Sequence, residues 1–154
     1  MADPVRLGTA DAGELLTLQR AAFVTEARAH RSLDLPPLVE TLDELRAVLS
    51  DPDVVTWGIR ESGRLVASVR IRLRGEVGEV GRLVVAPDRQ GAGLGSALMK
   101  AAEDRLPPEV RVLRLFTGEL SEGPLRLYAR LGYVETGRTP EAHYHLVHLE
   151  KRFR

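Results

Sequence analysis

Nine residues in the second half of the chain, Asp88-Arg89-Gln90-Gly91-Ala92-Gly93-Leu94-Gly95-Ser96, have the types and spacing to hold an anion. Glycines let a backbone approach a ligand closely, and the first turn of a helix presents unpaired N–H groups at the positive end of its dipole. With a helix starting near Leu94, each negative charge placed in such a cradle gains about 0.3–1 kcal/mol when exposed, and more when partly buried. A pyrophosphate is a natural occupant. Turns and helix starts also use glycine, so the run alone leaves a purely structural reading open. Two nucleotide motifs compete for the segment. A mononucleotide P-loop needs Lys before the Ser, where Gly95 stands. A dinucleotide fingerprint needs glycine directly after a strand, yet Ala86 to Gln90 intervene and Ser96 holds the third glycine place. Glu119, after the next strand, is that rival's best point, since it stands where a ribose-binding acid would.

The flanking elements follow from periodicity. Asp11 to Glu14 reads as an acid-capped helix start with a reciprocal Glu, continued by Leu15, Leu18 and Ala22 at helical spacing. Residues 29 to 40, with Pro36-Pro37, read as an ordered loop, and a helix restarts at Thr41 with Leu42, Leu45 and Leu49 inward. The period then becomes two. Val54 to Arg60 is a strand, turned by Glu61-Ser62-Gly63 into a second whose Leu65, Ala67, Val69, Ile71 and Leu73 share one face and whose Ser68, Arg70, Arg72 and Arg74 share the other. Gly75 reverses the chain again, and Val77 to Val85 returns antiparallel to complete a meander. The meander argues against a dinucleotide fold. Leu94, Ala97, Leu98 and Ala101 define a helix closed by Pro107-Pro108, and Val110 to Phe116 is a strand, so this crossover places two strands side by side in parallel. A helix from Ser121 to Leu131 stops at Gly132, and strands over Tyr133 to Thr136 and Ala142 to Leu149 make a hairpin at the sheet edge.

Totals exclude several functions. The chain has 154 residues, enough for one domain spanning 1–154, and no repeat or linker suggests a second. Its 22 basic and 22 acidic side chains cancel, so no overall field draws it to nucleic acid or an anionic membrane. It contains no cysteine, which excludes disulfides, thiolate metal sites and an acyl group carried on a protein thiol. No apolar run approaches a membrane span, and a cytoplasmic location is expected. Ligand spacing gives no support for a metal site.

The segment Leu83-Val84-Val85-Ala86-Pro87-Asp88-Arg89-Gln90-Gly91-Ala92-Gly93-Leu94-Gly95 closely resembles the coenzyme-A-binding motif of the GNAT family of N-acetyltransferases: Gln or Arg, two residues, Gly, one residue, then Gly or Ala. Gln90, Gly93 and Gly95 fill those places. Leu127-Tyr128-Ala129-Arg130-Leu131-Gly132-Tyr133 is similar to the family's late helix. The resemblance implies an α+β fold: a twisted, mostly antiparallel sheet of six or seven strands with a splayed parallel central pair, flanked by about four helices. It also implies an acetyl-coenzyme A cosubstrate, direct acetyl transfer to a primary amine of a small molecule or peptide, and a homodimer through the terminal strands as unsurprising.

The residue roles it implies are these. Leu83, Val84 and Val85 offer backbone groups to the pantetheine arm, and an N–H near Val85 polarises the thioester carbonyl. Gln90, Gly91, Ala92, Gly93, Leu94, Gly95 and Ser96 hold the pyrophosphate. Tyr128 protonates the departing thiolate, against the plainer reading of a core tyrosine with a wet tip. Ser121 stands where relatives often carry Asn near the cofactor, and being shorter it has helix capping as its plainer role. An ammonium cannot attack a thioester, so the acceptor must lose a proton. Glu79, on the strand face of Gly81, Leu83 and Val85, is the candidate base, with Glu76 the runner-up and a surface carboxylate the plain alternative. His143 and His145 read as surface or cleft-lining residues, and Glu26, Trp57 and the 29 to 40 loop as acceptor-pocket walls. The Arg70, Arg72, Arg74 stripe reads as a solvated face, or as a grip for an acidic substrate or second subunit. The Asn-to-Ser departure keeps a second function open, an acyl-coenzyme A sensor without catalysis.

Overall fold

The period-two stretch does form three antiparallel strands, β2 (Val54–Glu61), β3 (Arg64–Arg74) and β4 (Val77–Val85), in a computed structural model that describes residues 3–153. Together with β1 (Val5–Arg6), β5 (Val112–Gly118), β6 (Val134–Pro140) and β7 (His145–Arg152) they make one sheet of spatial order β1-β2-β3-β4-β5-β7-β6. Among the described residues the only parallel neighbours are β4 and β5, and the β6–β7 hairpin closes one edge. Among the described residues no helix is long and apolar enough to cross a membrane.

The parallel pairing is short. It joins Val77, Gly78 and Glu79 to Val112, Leu113 and Arg114 and then stops, although β4 continues to Val85 and β5 to Gly118. A bulge in β4 accounts for the divergence. Arg70 pairs with Gly81 and Ser68 with Val84, so Arg82 and Leu83 together oppose Val69, and Arg82 takes the left-handed conformation at φ 53°. Two residues against one bend the bulged strand. β5 keeps its other partner along its whole length, pairing with β7 from Val112 to Gly118.

Helices cover both faces of the meander. Helix α1 (Ala12–Ala22) packs on β3 and β4, α4 (Leu42–Ser50) on β2, and α5 (Leu94–Asp104) on β2, β3 and β4 through buried Leu94, Leu98, Met99 and Ala102. With cover on both sides, β3 is buried at every position from Leu65 to Val69 rather than at alternate ones. Three expectations need correction here. Asp11 does not cap α1 with its side chain; it accepts from the Gly8 N–H and pairs with Arg60, while Glu14 accepts from the Leu65 N–H. The 29 to 40 segment is not all loop: α2 (Val24–His30) runs into it and α3 (Pro36–Val39) starts on Pro36. Proline ends a helix it is inserted into but suits the first position, where no N–H is required.

The third correction concerns the arginine stripe. Arg70 pairs with Glu40 at 2.8 Å, Arg72 with Asp51 at 3.0 Å and Arg74 with Glu79, so the stripe is neutralised within the chain. Glu76 pairs instead with Arg111. Glu40 is the most enclosed of these acids at 9% exposure, and it also receives Gln19 Nε2 at 3.0 Å while Arg82 Nε lies 3.6 Å away. Burial pushes its carboxyl up, but the hydrogen bonds from Arg70 and Gln19 outweigh that and hold it below the usual range. Removing Glu40 leaves two half-buried guanidiniums facing each other. Glu40→Ala is therefore expected to cost about 3 kcal/mol, the lower end for breaking a buried pair, read as a fall in the urea midpoint. Because the folded carboxyl is held low, the pair's contribution is intact at neutral pH and is lost as pH falls through that lowered value; the variant should show a shallower acid dependence of stability.

Candidate active site

The nine-residue loop enters α5 through two left-handed glycines, Gly91 at φ 81° and Gly93 at φ 82°, with Gly93 as the N-cap. A Cβ at either would meet nothing within 4 Å, so the backbone conformation, not lack of room, requires glycine there. The first bond of the helix runs from the Ala97 N–H to Gly93 O at 3.0 Å, and no side chain caps it. The N–H groups of Leu94, Gly95 and Ser96 thus have no partner in the helix. Gly95 lets α5 close on its neighbours: a Cβ there would lie 3.3 Å from Leu127 Cδ2 and 3.8 Å from Val85 Cγ2.

Two charged forks fix the loop to the β2–β3 hairpin. Arg89 donates to both Glu61 oxygens at 2.7 and 2.9 Å, and Arg64 makes a bidentate pair with Asp88. Gln90 Nε2 reaches Val85 O at 3.3 Å. The Ala86 N–H bonds to Val66 O on β3, so strand alternation aims the Val85 N–H the other way, toward the gap left by β5.

That gap opens into a cleft of about 500 Å³. Its floor is Leu83, Val84 and Val85. One wall is Gln90, Gly91, Gly93, Leu94, Gly95 and Ser96. Ser121 and Tyr128 of α6 (Glu122–Arg130) and its cap form a second wall, and Phe23 and Glu26 a third. Arg89, Arg126 and Arg130 bring cations to the same cleft. Of the expected ligand-binding residues, Ala92 is not in these walls.

Tyr128 is 7% exposed; burial first, and then the charge of Glu26, push its phenol above the ordinary range, which keeps it protonated. Its ring meets Tyr133 edge-on at 5.8 Å, and Tyr133 is held in turn by a 2.7 Å bond to Glu103. Ser121 occupies the N-cap position of α6 but does not cap it with its side chain: the Oγ is buried and has no hydrogen-bond partner among the described residues. An orphaned hydroxyl and free amides fit a polar ligand. Glu26 is pushed up by burial, and the only favourable influences on its charge are its own N–H and His30.

Several expected residues lie elsewhere. Glu79 is outside the cleft walls, paired with Arg74 and half exposed. Trp57 lies under the Arg105 guanidinium at 4.8 Å and is not a wall of the cleft. Glu119 accepts from the His145 N–H at 2.8 Å and faces Arg138, so it is occupied by the hairpin. His143 contacts His30 O, and neither it nor His145 lines the cleft. Among the described residues no group of three or more His, Cys, Asp or Glu side chains is placed to hold a metal ion.

His30 is the structural residue that the sequence reading missed. It is buried, its Nε2 accepts from the Leu120 N–H at 3.1 Å, and its Nδ1 therefore carries the proton donated to Glu26 O at 2.9 Å. It ties the third wall to the end of β5, where Gly118 makes room for the ring. A glycine closing a strand was its only trace in the sequence.

The profile of the Acetyltransferase (GNAT) family matches residues 16–133, and the chain belongs to that family. Solved structures agree on the fold. The PaiA N-acetyltransferase from Thermoplasma acidophilum in complex with coenzyme A superposes with TM-score 0.86 at 15% identity, covering 99% of this chain and 100% of that one. The ribosomal-protein-S18-alanine N-acetyltransferase from Escherichia coli gives 0.81 at 18% identity, covering 99% and 94%. A spermidine N-acetyltransferase SpeG chimera from Vibrio cholerae and hSSAT gives 0.73 at 16%, covering 97% and 94%. No curated protein matches the chain by sequence.

Because a Cβ on Gly118 would overlap the His30 ring, Gly118→Ala is expected to cost about 1–3 kcal/mol through overpacking and to displace the third wall. Gly123→Ala, a helical site with open space around it, should leave stability unchanged or raise it by up to ~1 kcal/mol. Thermal unfolding of the two variants checks the pair.

Proposed function

We propose that the chain binds acetyl-coenzyme A in this cleft and transfers the acetyl group directly to a primary amine of a small molecule or peptide. The observation that carries the reading is the convergence of unpartnered first-turn amides of α5, the free edge of β4 and the protonated phenol of Tyr128 on one cavity. Acetyl-coenzyme A supplies a thioester whose acyl carbon is open to attack. The amides of Leu94, Gly95 and Ser96 bind the diphosphate, with Gln90 and Gly91 lining the approach. Leu83 and Val85 offer main-chain groups to the pantetheine amides, and the Val85 N–H stabilises negative charge developing on the carbonyl oxygen. Ser121 Oγ bonds a polar group of the cofactor arm. Tyr128 gives its proton to the departing sulfur. Glu79 is bound by Arg74 outside the walls, so the acceptor's proton is better served by a carboxylate inside them. β6, exposed along its length at the sheet edge, is the strand through which a second copy would pair.

Tyr128→Phe should lower kcat by about 10²–10⁴ while leaving coenzyme A affinity unchanged. Coenzyme A at 100 times its dissociation constant should stabilise the fold by about 2.7 kcal/mol, and a nicotinamide dinucleotide should not. A panel of primary amines, followed by free-thiol release, completes the test. If the protein binds coenzyme A yet consumes acetyl-coenzyme A with no amine, the sensor reading replaces the transferase.

A further inference from the structure

Nearly every cation near the meander has found an acid, and one acid in the cleft has found no cation. Arg60, Arg64, Arg70, Arg72, Arg74 and Arg89 each hold a carboxylate. The cleft walls contain two carboxylates, Glu26 and Glu122. Glu122 is 82% exposed and sits 4.0 Å from Arg126, whereas Glu26 is half-buried and, among the described residues, no arginine or lysine pairs with it. A partly desolvated carboxylate without a counter-ion is costly, and a cation entering beside it offsets that cost.

The surroundings restrict what the cation can be. Ala22, Phe23 and Leu120 are the apolar walls near Glu26. Among the described residues the basic side chains of the cleft walls are Arg89, already held by Glu61, and Arg126 and Arg130 of α6, which are placed to meet an anionic part of the cofactor. The cleft therefore has a cationic part suited to an anion and, near Tyr128, one carboxylate that no cation holds among the described residues.

Resting on the acetyl-transfer reading above, we infer that Glu26 is the catalytic residue that receives the acceptor, and that the acceptor is a monocationic primary amine with an apolar body and no carboxylate beside the amine. The ammonium donates to the Glu26 carboxylate and gives it one proton. The nitrogen lone pair then forms the C–N bond to the acyl carbon, and the C–S bond breaks with its electron pair going to sulfur, which takes the Tyr128 proton. The nitrogen's second surplus proton returns to the Tyr128 oxygen through water, and Glu26 releases its own to solvent. The sum is an ammonium and a thioester giving an acetamide, a thiol and one proton. A free amino acid would bring its carboxylate against Glu26, a like-charge contact. A polyamine's second cation would find only Glu122, exposed and already beside Arg126. Burial pushes the Glu26 carboxyl up, toward the pH at which a base works best, and the titratable groups that face it are His30 on its own helix and Tyr128 on α6.

The test uses the full chain with acetyl-coenzyme A and matched acceptors: phenylalaninamide, leucinamide and phenethylamine against phenylalanine, leucine and spermidine. The amides and phenethylamine should exceed the free amino acids in kcat/KM by on the order of 100-fold. Glu26→Gln should lower kcat/KM for the amides by about 10² or more, raise their KM and remove the acid limb of the pH profile, with coenzyme A affinity kept and Glu26→Asp restoring part of the rate. Equal use of amide and free acid, preference for spermidine, no turnover of the amides by a protein that binds coenzyme A, or an unchanged Glu26→Gln profile each overturns the inference. Should the Gln variant not fold, the wild-type comparison of amide with acid decides. Failure of the wild type to bind coenzyme A overturns instead the reading on which this rests.

Discussion

The structure depends on β4 losing one neighbour while keeping the other. Over Val77 to Glu79 it is an interior strand, hydrogen-bonded on both sides; from the Arg82 bulge onward it is bonded to β3 alone. A strand edge of this kind would ordinarily be a hazard, offered to any passing chain. Here α5, α6 and α2 wall it off, and the unpaired edge becomes the floor of a closed-sided cleft. The bulge costs something in local strain, since Arg82 is a non-glycine residue at positive φ, and the cluster of Glu40, Arg70 and Gln19 packed against its side is what holds it.

Charge neutrality of the whole chain conceals an ordered distribution. Arginines on β2 and β3 are matched by Asp11 before α1, Glu40 after α3, Asp51 after α4 and Glu79 on β4, most of them far away in sequence. Most individual surface pairs contribute little to stability, but as a set they remove the meander's charges from competition for ligands. Within the cleft walls Glu26 and Arg130 are the charges that, among the described residues, hold no opposite charge.

Much of the fold was legible because its signals are local. The alternation in Leu65 to Leu73, the turn residues at Gly63 and Gly75, and the helical spacing of Leu94 and Leu98 each act within a few residues, and the parallel β4–β5 pair follows from the crossover rule. The glycine loop was legible for the same reason. What escaped depends on partners distant in sequence. Pro36 starts a helix that Gln19 anchors, and Trp57 lies under Arg105. The alternation that placed Glu79 in line with Leu83 and Val85 assumed an unbroken strand, and the bulge at Arg82 breaks it. His30 left almost no trace, because its role is defined by Leu120 and Gly118, some ninety residues later.

The forks from Arg89 to Glu61 and from Arg64 to Asp88 govern how the site meets its ligand in time. They hold the loop in its ligand-ready shape beforehand, so the entropy of ordering it belongs to folding and not to association. A ligand that fits that shape meets the loop already formed, and differences in affinity among such ligands then lie mainly in how quickly their contacts let go.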